Sequence, residues 1–319
     1  MNGLKHKWEK MNNILILGAG GPAGIGVIKS LRETNFDINI ISIDCNELSA
    51  GFHMSDKYYV VPKVESKSYL SEVLKIVKKE NIDLILPTTE RDIIKISKNK
   101  NKFKGVTLFM SDHKTIINCS DKLKFYDKCK NKFDLPETSE EFDIDWPVFC
   151  KPKVGSGSRG AKLCADMSCI KLLEETFSPE RSCDYVFQEY LPGQEYTIDV
   201  LCDMNSNPLV AVPRKRLETK AGISSKGEIV KDNFIEKACF DICKFLKLKG
   251  PVCIQMKEDD NKKLKFVEVN TRAGGGSYFA TLAGVNFYDI ILKIVNDIDF
   301  KIPDFDEITV LRCFNEVVV

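Results

Sequence analysis

The sequence of 319 residues has few of the features that point to metal, nucleic-acid or membrane proteins. Three histidines and twelve scattered cysteines without a CxxC pair offer little material for a zinc centre or a His-based triad. A formal charge of +1 gives no whole-molecule field to attract nucleic acid or an anionic membrane. No apolar run approaches the roughly 20 residues of a transmembrane helix. The composition therefore predicts a cytoplasmic protein with reduced thiols that binds neither nucleic acid nor membrane.

The chain also lacks internal repeats and low-complexity linkers, and its length allows two or three subdomains. Residues 1–11 are polar and are predicted to be a leader. Up to about residue 115, helical segments alternate with short apolar strands, which predicts a parallel, doubly wound sheet. These predicted strands cover residues 14–17, 38–43, 84–86 and 106–110. From residue 185 onward the pattern predicts antiparallel hairpins, among them 252–256 with 264–269.

A first glycine-rich turn follows the first predicted strand. Gly18, Gly20 and Ala23 stand in the spacing of a dinucleotide-binding turn, and Asp44 ends the next strand. Taken alone, this pattern favours the binding of NAD. A tight turn from strand to helix requires the same glycines when it faces a substrate or has only a structural role. NAD binding and a substrate-facing or structural turn therefore both stay open.

A second glycine-rich loop, residues 155–160, begins four residues after Lys151 at the end of a predicted strand. Backbone N–H groups and serine hydroxyls of such a loop can bind phosphate oxygens, and the lysine supplies positive charge. The loop lacks the GK[ST] ending of a P-loop. A surface hairpin with a solvated lysine is the alternative.

Near the C-terminus, Glu268 and Asn270 lie two residues apart on a predicted strand and so point to one face. If strands 252–256 and 264–269 pair, Gln255 lies opposite Glu268. Oxygen ligands of low total charge suit Mg²⁺ that carries nucleotide phosphates. The intervening residues are apolar and are expected to face a core, in contrast to a solvated hairpin face; they are Ile254, Met256, Val267 and Val269.

Arg272 follows these residues on a glycine-rich turn, where a guanidinium can neutralise charge during phosphoryl transfer. A surface arginine is the alternative. Residues 188–191 and Glu195 join two predicted strands, and an extended segment of this kind can bind an adenine edge and a ribose.

In their order and spacing these motifs resemble the ATP-grasp superfamily, and within it the carbamoyl phosphate synthetase large-subunit and biotin carboxylase branch. The resemblance covers residues 12–319. The matching pieces are Ser120-Asp121-Lys122, residues 146–152 with the loop after them, Gln188-Glu189-Tyr190-Leu191 with Glu195, and finally Gln255, Glu268-Val269-Asn270 and Arg272.

The resemblance implies a Rossmann-like N-terminal domain over residues 12–115, followed by the two-lobed ATP-grasp fold. The small lobe is predicted over residues 116–184, and the large lobe with the metal site over residues 185–319. In this α/β and α+β architecture, ATP is clamped between the two lobes.

By position, the resemblance assigns the site residues as follows. Phosphates would be held by Lys122, Lys151 and the loop residues Gly155, Ser156, Gly157 and Ser158. Adenine would be framed by Gln188, Glu189, Tyr190 and Leu191, and ribose would meet Glu195. Mg²⁺ or Mn²⁺ would be bound by Gln255, Glu268 and Asn270. Arg272 would stabilise the transferred phosphoryl group, and Arg216, which precedes a predicted mobile basic loop at residues 222–227, would contact the acyl phosphate or an acidic substrate.

The implied activity is that of a stand-alone ligase that activates a small carboxylate as an acyl phosphate and transfers it to an amine. The sequence shows no glutaminase, no biotin-carrier site and no second synthetase half, so carbamoyl phosphate synthesis itself is not expected. A homo-oligomer is compatible with this reading. Two alternatives stay open, namely an NAD-dependent oxidoreductase and a regulatory protein that binds ATP without catalysis.

Overall fold

The computed structural model describes residues 12–141, 143–155, 160–169, 185–220, 222–313 and 315–318. The described residues form three sheets with helices packed around them. Helices among these residues are too short or too polar to cross a membrane. The eleven cysteines of the described residues are all free thiols.

The N-terminal sheet is parallel and has the strand order β3-β2-β1-β4-β5. Residues 14–17 of its central strand are apolar and have no exposed surface, as expected for a parallel sheet covered on both faces. The strands are β1 (Asn13–Leu17), β2 (Asn39–Asp44), β3 (Lys57–Val60), β4 (Leu84–Pro87) and β5 (Thr107–Leu108). The predicted doubly wound sheet is therefore confirmed, with β3 as a strand that the apolar pattern did not show.

Three helices connect these strands: α1 (Pro22–Arg32), α2 (Tyr69–Lys79) and α3 (Glu90–Lys98). Proline at the first position starts α1, where its missing N–H costs no hydrogen bond. Thr89 caps α3 by accepting a hydrogen bond from the backbone N–H of Asp92. Because β1 and β4 pair in parallel, their carboxyl ends lie at the same edge of the sheet, where α1 and α3 begin.

The middle of the chain begins with two helices, α4 (His113–Ser120) and α5 (Lys122–Cys129), which are separated at Asp121. Asp121 caps α5 by accepting hydrogen bonds from the N–H groups of Leu123 and Lys124. An antiparallel sheet follows in the order β6-β9-β7-β8. Its strands are β6 (Thr138–Ser139), β7 (Val148–Pro152), β8 (Lys162–Cys164) and β9 (Tyr185–Glu189).

The C-terminal part forms an antiparallel sheet of six strands in the order β14-β13-β10-β11-β12-β15. Its strands are β10 (Glu195–Cys202), β11 (Pro208–Lys220), β12 (Ile223–Ile229), β13 (Gly250–Glu258), β14 (Leu264–Asn270) and β15 (Thr309–Leu311). The helices of this part are α6 (Asn233–Leu246), α7 (Tyr278–Leu282) and α8 (Phe287–Val295). Residues 223–227, predicted as part of a mobile loop, belong to strand β12, which pairs with β11.

One apolar core joins the N-terminal sheet to the six-stranded sheet. It contains Ile16 and Leu86 from the first sheet, Val212 from the second, and Phe279 from α7 between them. The Ser30 hydroxyl lies 2.7 Å from that of Thr281 and ties α1 to α7. This packing sets the edge of the N-terminal sheet against the segment that follows β14. The domain boundaries at residues 115 and 184 stay predictions.

Candidate functional site

A cleft with a cavity volume of about 350 Å³ lies between the four-stranded and the six-stranded sheet. Its size falls in the range of small-molecule sites. It contains most of the residues that the sequence motifs indicated. Its lining comprises Lys122, Phe149, Lys151, Pro152, Gly155, Ala161, Gln188, Glu189, Tyr190, Leu191, Glu195, Arg216, Thr219, Gly222, Gln255, Lys257, Val267 and Glu268.

Lys151 is the most buried cation of this cleft, with 5% of its surface exposed on strand β7. Its Nζ donates a 2.7 Å hydrogen bond to Oε1 of Gln188, and Nε2 of Gln188 donates to the Thr138 hydroxyl at 2.8 Å. Burial lowers the pKa of Lys151 to about 8, in opposition to the negative charges of Glu268 and Glu195. The chain from Lys151 to Thr138 fixes the lysine in place, so a phosphate meets a preorganised cation. Thr138 was not among the residues that the sequence predicted.

Lys122 reaches the same cleft from the first position of α5. Its Nζ donates a 3.1 Å hydrogen bond to the carbonyl oxygen of Gly155, and its backbone N–H bonds the carbonyl of Lys153. Lys122 is thereby attached to the start of the predicted phosphate loop. Ser156, Gly157 and Ser158, which were predicted to bind phosphate, lie outside the described residues.

The segment from Gln188 to Glu195 passes along the cleft. The carboxylate of Glu189 accepts hydrogen bonds from Lys265 and from the backbone N–H of Glu137. Glu189 can therefore bind a ligand through its backbone groups. Tyr190 and Leu191 line the cavity. The segment can therefore frame a flat ring by main-chain groups and apolar surface, as predicted for adenine.

Glu195 and Arg216 form an ion pair across strands β10 and β11. Arg216 also donates a 2.8 Å hydrogen bond to the carbonyl of Gly222, and its buried Nε has no partner among the described residues. The structure thus brings together two residues that the resemblance treated separately, one for ribose and one for the acyl phosphate. Their roles stay predictions, but a ligand that uses Glu195 must share it with this arginine.

The predicted metal-binding residues lie on strands β13 and β14. Gln255 is the register partner of Glu268, as the predicted hairpin requires. Nδ2 of Asn270 donates a 2.7 Å hydrogen bond to Oε1 of Glu268, and Arg272 donates to Oδ1 of Asn270 at 3.3 Å. Glu268 and Gln255 line the cleft, whereas Arg272 lines a small cavity beside Leu86 and Pro87 of the N-terminal sheet.

The protonation state of Glu268 depends on the charged groups around it. Burial alone raises its pKa, but Lys122, Lys151, the hydrogen bond from Asn270 and the charge of Arg272 together lower it. A carboxylate kept ionised beside amide oxygens is a donor set that fits Mg²⁺. Since the described residues contain no group of three His, Cys, Asp or Glu that could hold a metal, much of the coordination would have to come from ligand phosphates.

A β-bulge changes the expected orientation of one residue. Gln255 pairs with Glu268 but Met256 pairs with Phe266, so Val267 is an extra residue in β14. Val267 was expected to face the core; it instead lines the cleft together with Phe149. The bulge therefore adds an apolar surface beside the acidic residue. Sequence alternation carries no signal for it, because the extra residue is decided by strand pairing.

The glycine-rich turn after Arg272 is positioned by a buried ion pair. Arg214, 1% exposed, contacts Asp199 at 3.1 Å and donates to the carbonyl of Gly276. A Cβ on Gly276 would come within 2.6 Å of the Arg214 guanidinium, so only glycine fits this turn. Arg214 thus determines where the backbone beyond Arg272 runs.

The backbone N–H groups of the first glycine-rich turn, at residues 18–21, donate hydrogen bonds within the protein. Gly18 and Ala19 donate to the carbonyl of Ile43, and Gly20 donates at 2.8 Å to the carboxylate of Asp44. The side chain of Ser49 fills the space above Gly20, where a Cβ would lie 2.4 Å from its hydroxyl. A dinucleotide needs these N–H groups for its pyrophosphate and the acidic residue for its ribose. This arrangement favours the structural interpretation of the turn over NAD binding.

Comparison with known proteins shows which families and folds the chain is similar to. The family described as ATP-grasp in the biosynthetic pathway with Ter operon matches residues 181–314, and the PylC-like N-terminal domain family matches residues 14–109. The carbamoyl phosphate synthase large chain of Clostridium botulinum (strain Alaska E43 / Type E3) is 25% identical over 314 residues, which cover 89% of this chain and 28% of the relative. The chain therefore spans well under two thirds of such relatives.

Two solved structures show the same fold. A biotin carboxylase–βγ-ATP complex from Campylobacter jejuni has a TM-score of 0.70 and 14% identity, covering 92% of this chain and 72% of its own. N5-carboxyaminoimidazole synthetase from Staphylococcus aureus, complexed with ADP, has a TM-score of 0.72 and 16% identity, covering 94% and 81%. The chain is thus similar to the ATP-grasp superfamily, and within it to the branch that contains carbamoyl phosphate synthetase large subunits and biotin carboxylases.

Proposed function

We propose that this protein is an ATP-dependent ligase that joins a small carboxylate to an amine. The observation that carries this proposal is the cleft in which Lys151, Lys122 and the ionised Glu268 are held together between two sheets. Such an arrangement places positive charge and a metal-binding carboxylate around a terminal phosphate. Relatives that carry the same fold include synthetases and carboxylases, which supports this class of reaction.

In the proposed complex, the nucleotide base lies on the apolar surface of Phe149, Leu191 and Val267, and the segment at Glu189 and Tyr190 offers main-chain groups to its edge. Lys122 and Lys151 bind the phosphates. Glu268, Asn270 and Gln255 hold Mg²⁺, which when bound neutralises phosphate charge. Arg272, next to Asn270, stabilises the phosphoryl group during its transfer.

The reaction that fits these groups is direct phosphoryl transfer. A carboxylate oxygen of the substrate attacks the terminal phosphorus, the bond to the ADP oxygen breaks, and an acyl phosphate forms. The amine nitrogen then attacks the acyl carbon, phosphate leaves with the former carboxylate oxygen, and the amine loses a proton. Arg216, held by Glu195, is our candidate for contact with the acyl phosphate.

The experiment that tests this proposal is a screen of carboxylates and amines for ADP release, followed by ¹⁸O transfer. Label in the substrate carboxylate is expected to appear in the released phosphate, and hydroxylamine is expected to trap a hydroxamate. Release of AMP and pyrophosphate, or of phosphate without label, would contradict the acyl-phosphate route.

Thermal unfolding separates this proposal from the two alternatives. ATP with Mg²⁺ at about 100 times its dissociation constant would stabilise the fold by about 2.7 kcal/mol, whereas NAD would leave the melting temperature unchanged. Stabilisation by NAD alone would favour the oxidoreductase. Stabilisation by ATP without turnover in any carboxylate screen would favour a regulatory ATP-binding protein.

A further inference from the structure

The short strand β6 places one hydroxyl beside the nucleotide cleft. Thr138 on β6 is the register partner of Gln188 on β9, and Gln188 lines the cleft. The neighbouring backbone is held separately: the N–H of Glu189 donates to the carbonyl oxygen of Glu137 at 2.8 Å, and the N–H of Glu137 donates to the carboxylate of Glu189 at 3.0 Å. Bonds that do not involve the side chains of Thr138 and Gln188 therefore set the relative position of these two residues.

The hydrogen of the Thr138 hydroxyl is already used. This hydroxyl donates to the carbonyl oxygen of Pro136 at 2.9 Å, and it lies 2.8 Å from the side-chain amide of Gln188. Because a hydroxyl has a single hydrogen, the Thr138 oxygen can only accept from Gln188. Nε2 of Gln188 therefore faces Thr138, and Oε1 faces Lys151, whose Nζ donates to it at 2.7 Å.

The opposite orientation of the Gln188 amide would lose both of its hydrogen bonds. Nε2 would then face the ammonium group of Lys151, donor against donor, and Oε1 would face a hydroxyl whose hydrogen is bound to Pro136. Thr138, Gln188 and Lys151 are each at most 6% exposed, so bulk water does not replace the lost bonds. The hydroxyl of Thr138 thus selects one of the two amide orientations.

The selected orientation favours the charged form of Lys151. Burial and the charge of Lys122 lower the pKa of Lys151, whereas the charges of Glu268 and Glu195 raise it. A carbonyl oxygen that accepts from the ammonium group adds to the support of the charged form, and an N–H in its place would favour the neutral amine. One N–H of the ammonium group is bound to Gln188, so two remain for phosphate oxygens.

We propose that Thr138 is a positioning residue for nucleotide binding, which orients the amide of Gln188 so that Lys151 meets the phosphates as a cation. Thr138 acts through Gln188 and touches neither the nucleotide nor Lys151. This inference rests on the ATP binding proposed above. It assigns to strand β6 the task of controlling the charge of the cleft in addition to the placement of the lysine.

The test measures Kd for ATP with Mg²⁺ by calorimetry at neutral pH in the full-length protein. Thr138→Val keeps the shape of the side chain and removes the hydroxyl; it is expected to raise this Kd by about fivefold to twentyfold, because a charge-assisted contact to phosphate is weakened. Thr138→Ser keeps the hydroxyl and is expected to stay within about twofold of the wild type. Thr115→Val is the matched control, since the Thr115 hydroxyl also donates to a backbone carbonyl, that of Leu246, but does not line the cleft.

A second pair of variants separates this route from a local structural effect. Gln188→Met has no amide to orient, so adding Thr138→Val to it is expected to change Kd by no more than about twofold. A hydroxyl that acted on the fold by itself would weaken ATP binding equally in both backgrounds. If Thr138→Val failed to fold, Thr138→Ala, which removes the hydroxyl without setting a methyl group against the amide, takes its place in each comparison.

The remaining outcomes separate the inference from the function on which it rests. Equal Kd values for the wild type and Thr138→Val would overturn the inference. An equal rise of Kd in both backgrounds, or an equal rise in Thr115→Val, would overturn it as well. A wild-type protein without measurable binding of ATP with Mg²⁺ would instead contradict the proposed function, and the inference would fail with it.

Discussion

The substitution Glu268→Gln separates the proposed metal-binding role of Glu268 from a structural one. Glutamine keeps the shape of the side chain and can still accept the hydrogen bond from Nδ2 of Asn270. It removes the negative charge that Lys122, Lys151 and Arg272 keep ionised. Because the charge of Glu268 also raises the pKa of Lys151, its loss should make Lys151 less often protonated. The variant thus removes charge from the site without opening a cavity.

The expected magnitudes for Glu268→Gln differ widely between catalysis and stability. A ligand that lets a metal offset transition-state charge contributes several kcal/mol, so a loss of about 4 kcal/mol would lower kcat roughly a thousandfold. For stability, a hydrogen bond to a charged acceptor becomes one to a neutral acceptor, a change of about 1 kcal/mol. In a chain of 319 residues, that corresponds to a shift in Tm of about 1–2 °C.

The assay is ADP release at saturating ATP and Mg²⁺, measured beside thermal unfolding of the same preparation. Glu236→Gln is the matched control, since Glu236 is a half-buried carboxylate on α6 outside the cleft. Normal turnover by Glu268→Gln would refute the metal assignment. A loss of activity that only paralleled a large loss of stability would point to a structural role.

Three further predictions concern the cleft and its supports. Burial lowers the pKa of Lys151 to about 8, and phosphates attract its protonated form, so the calorimetric Kd for ATP with Mg²⁺ should be lowest below pH 8. Above pH 8 this Kd should rise by at most about tenfold per pH unit, whereas the Lys151→Met variant should bind ATP more weakly and show no such rise. Val267→Ala should weaken ATP binding about fivefold to tenfold in the same titration, as two buried methyl groups are lost; unchanged affinity would contradict the placement of the base. Gly276→Ala should lower the free energy of unfolding by about 1–3 kcal/mol in urea titrations, since its Cβ meets the buried Arg214, whereas Gly275→Ala, with 3.4 Å to its nearest neighbour, should cost less.

The elements of the fold follow closely from local sequence patterns. Continuous apolar runs such as residues 14–17 are typical of a parallel sheet that is covered on both faces, and the structure has β1 there with no exposed surface. The hairpin of β13 and β14 has Gln255 opposite Glu268, as the spacing around its polar turn predicts. Spacing along a strand determines which side chains share a face, and that information is local.

Local patterns cannot show where two strands lose register. The bulge at Val267 moves an apolar side chain from the expected core position into the cleft, and it exists only because β13 and β14 pair unequally. Residues 222–227 were predicted as a mobile basic loop, but residues 223–227 pair with β11 as part of strand β12. Arg216, which precedes this segment, has the carboxylate of Glu195 as its partner.

The sequence by itself determined the alternation of strands and helices in the N-terminal part, the hairpin of β13 and β14, the motifs that line the cleft and the family they resemble. Only the tertiary structure decided that Asp44 serves the first glycine-rich turn and that Arg214 and Asp199 position the turn after Arg272. These contacts join segments separated by 15 to 62 residues. Their formation depends on how the sheets pack against one another, because a side chain's charge and hydrogen-bonding capacity are local but its partners are not.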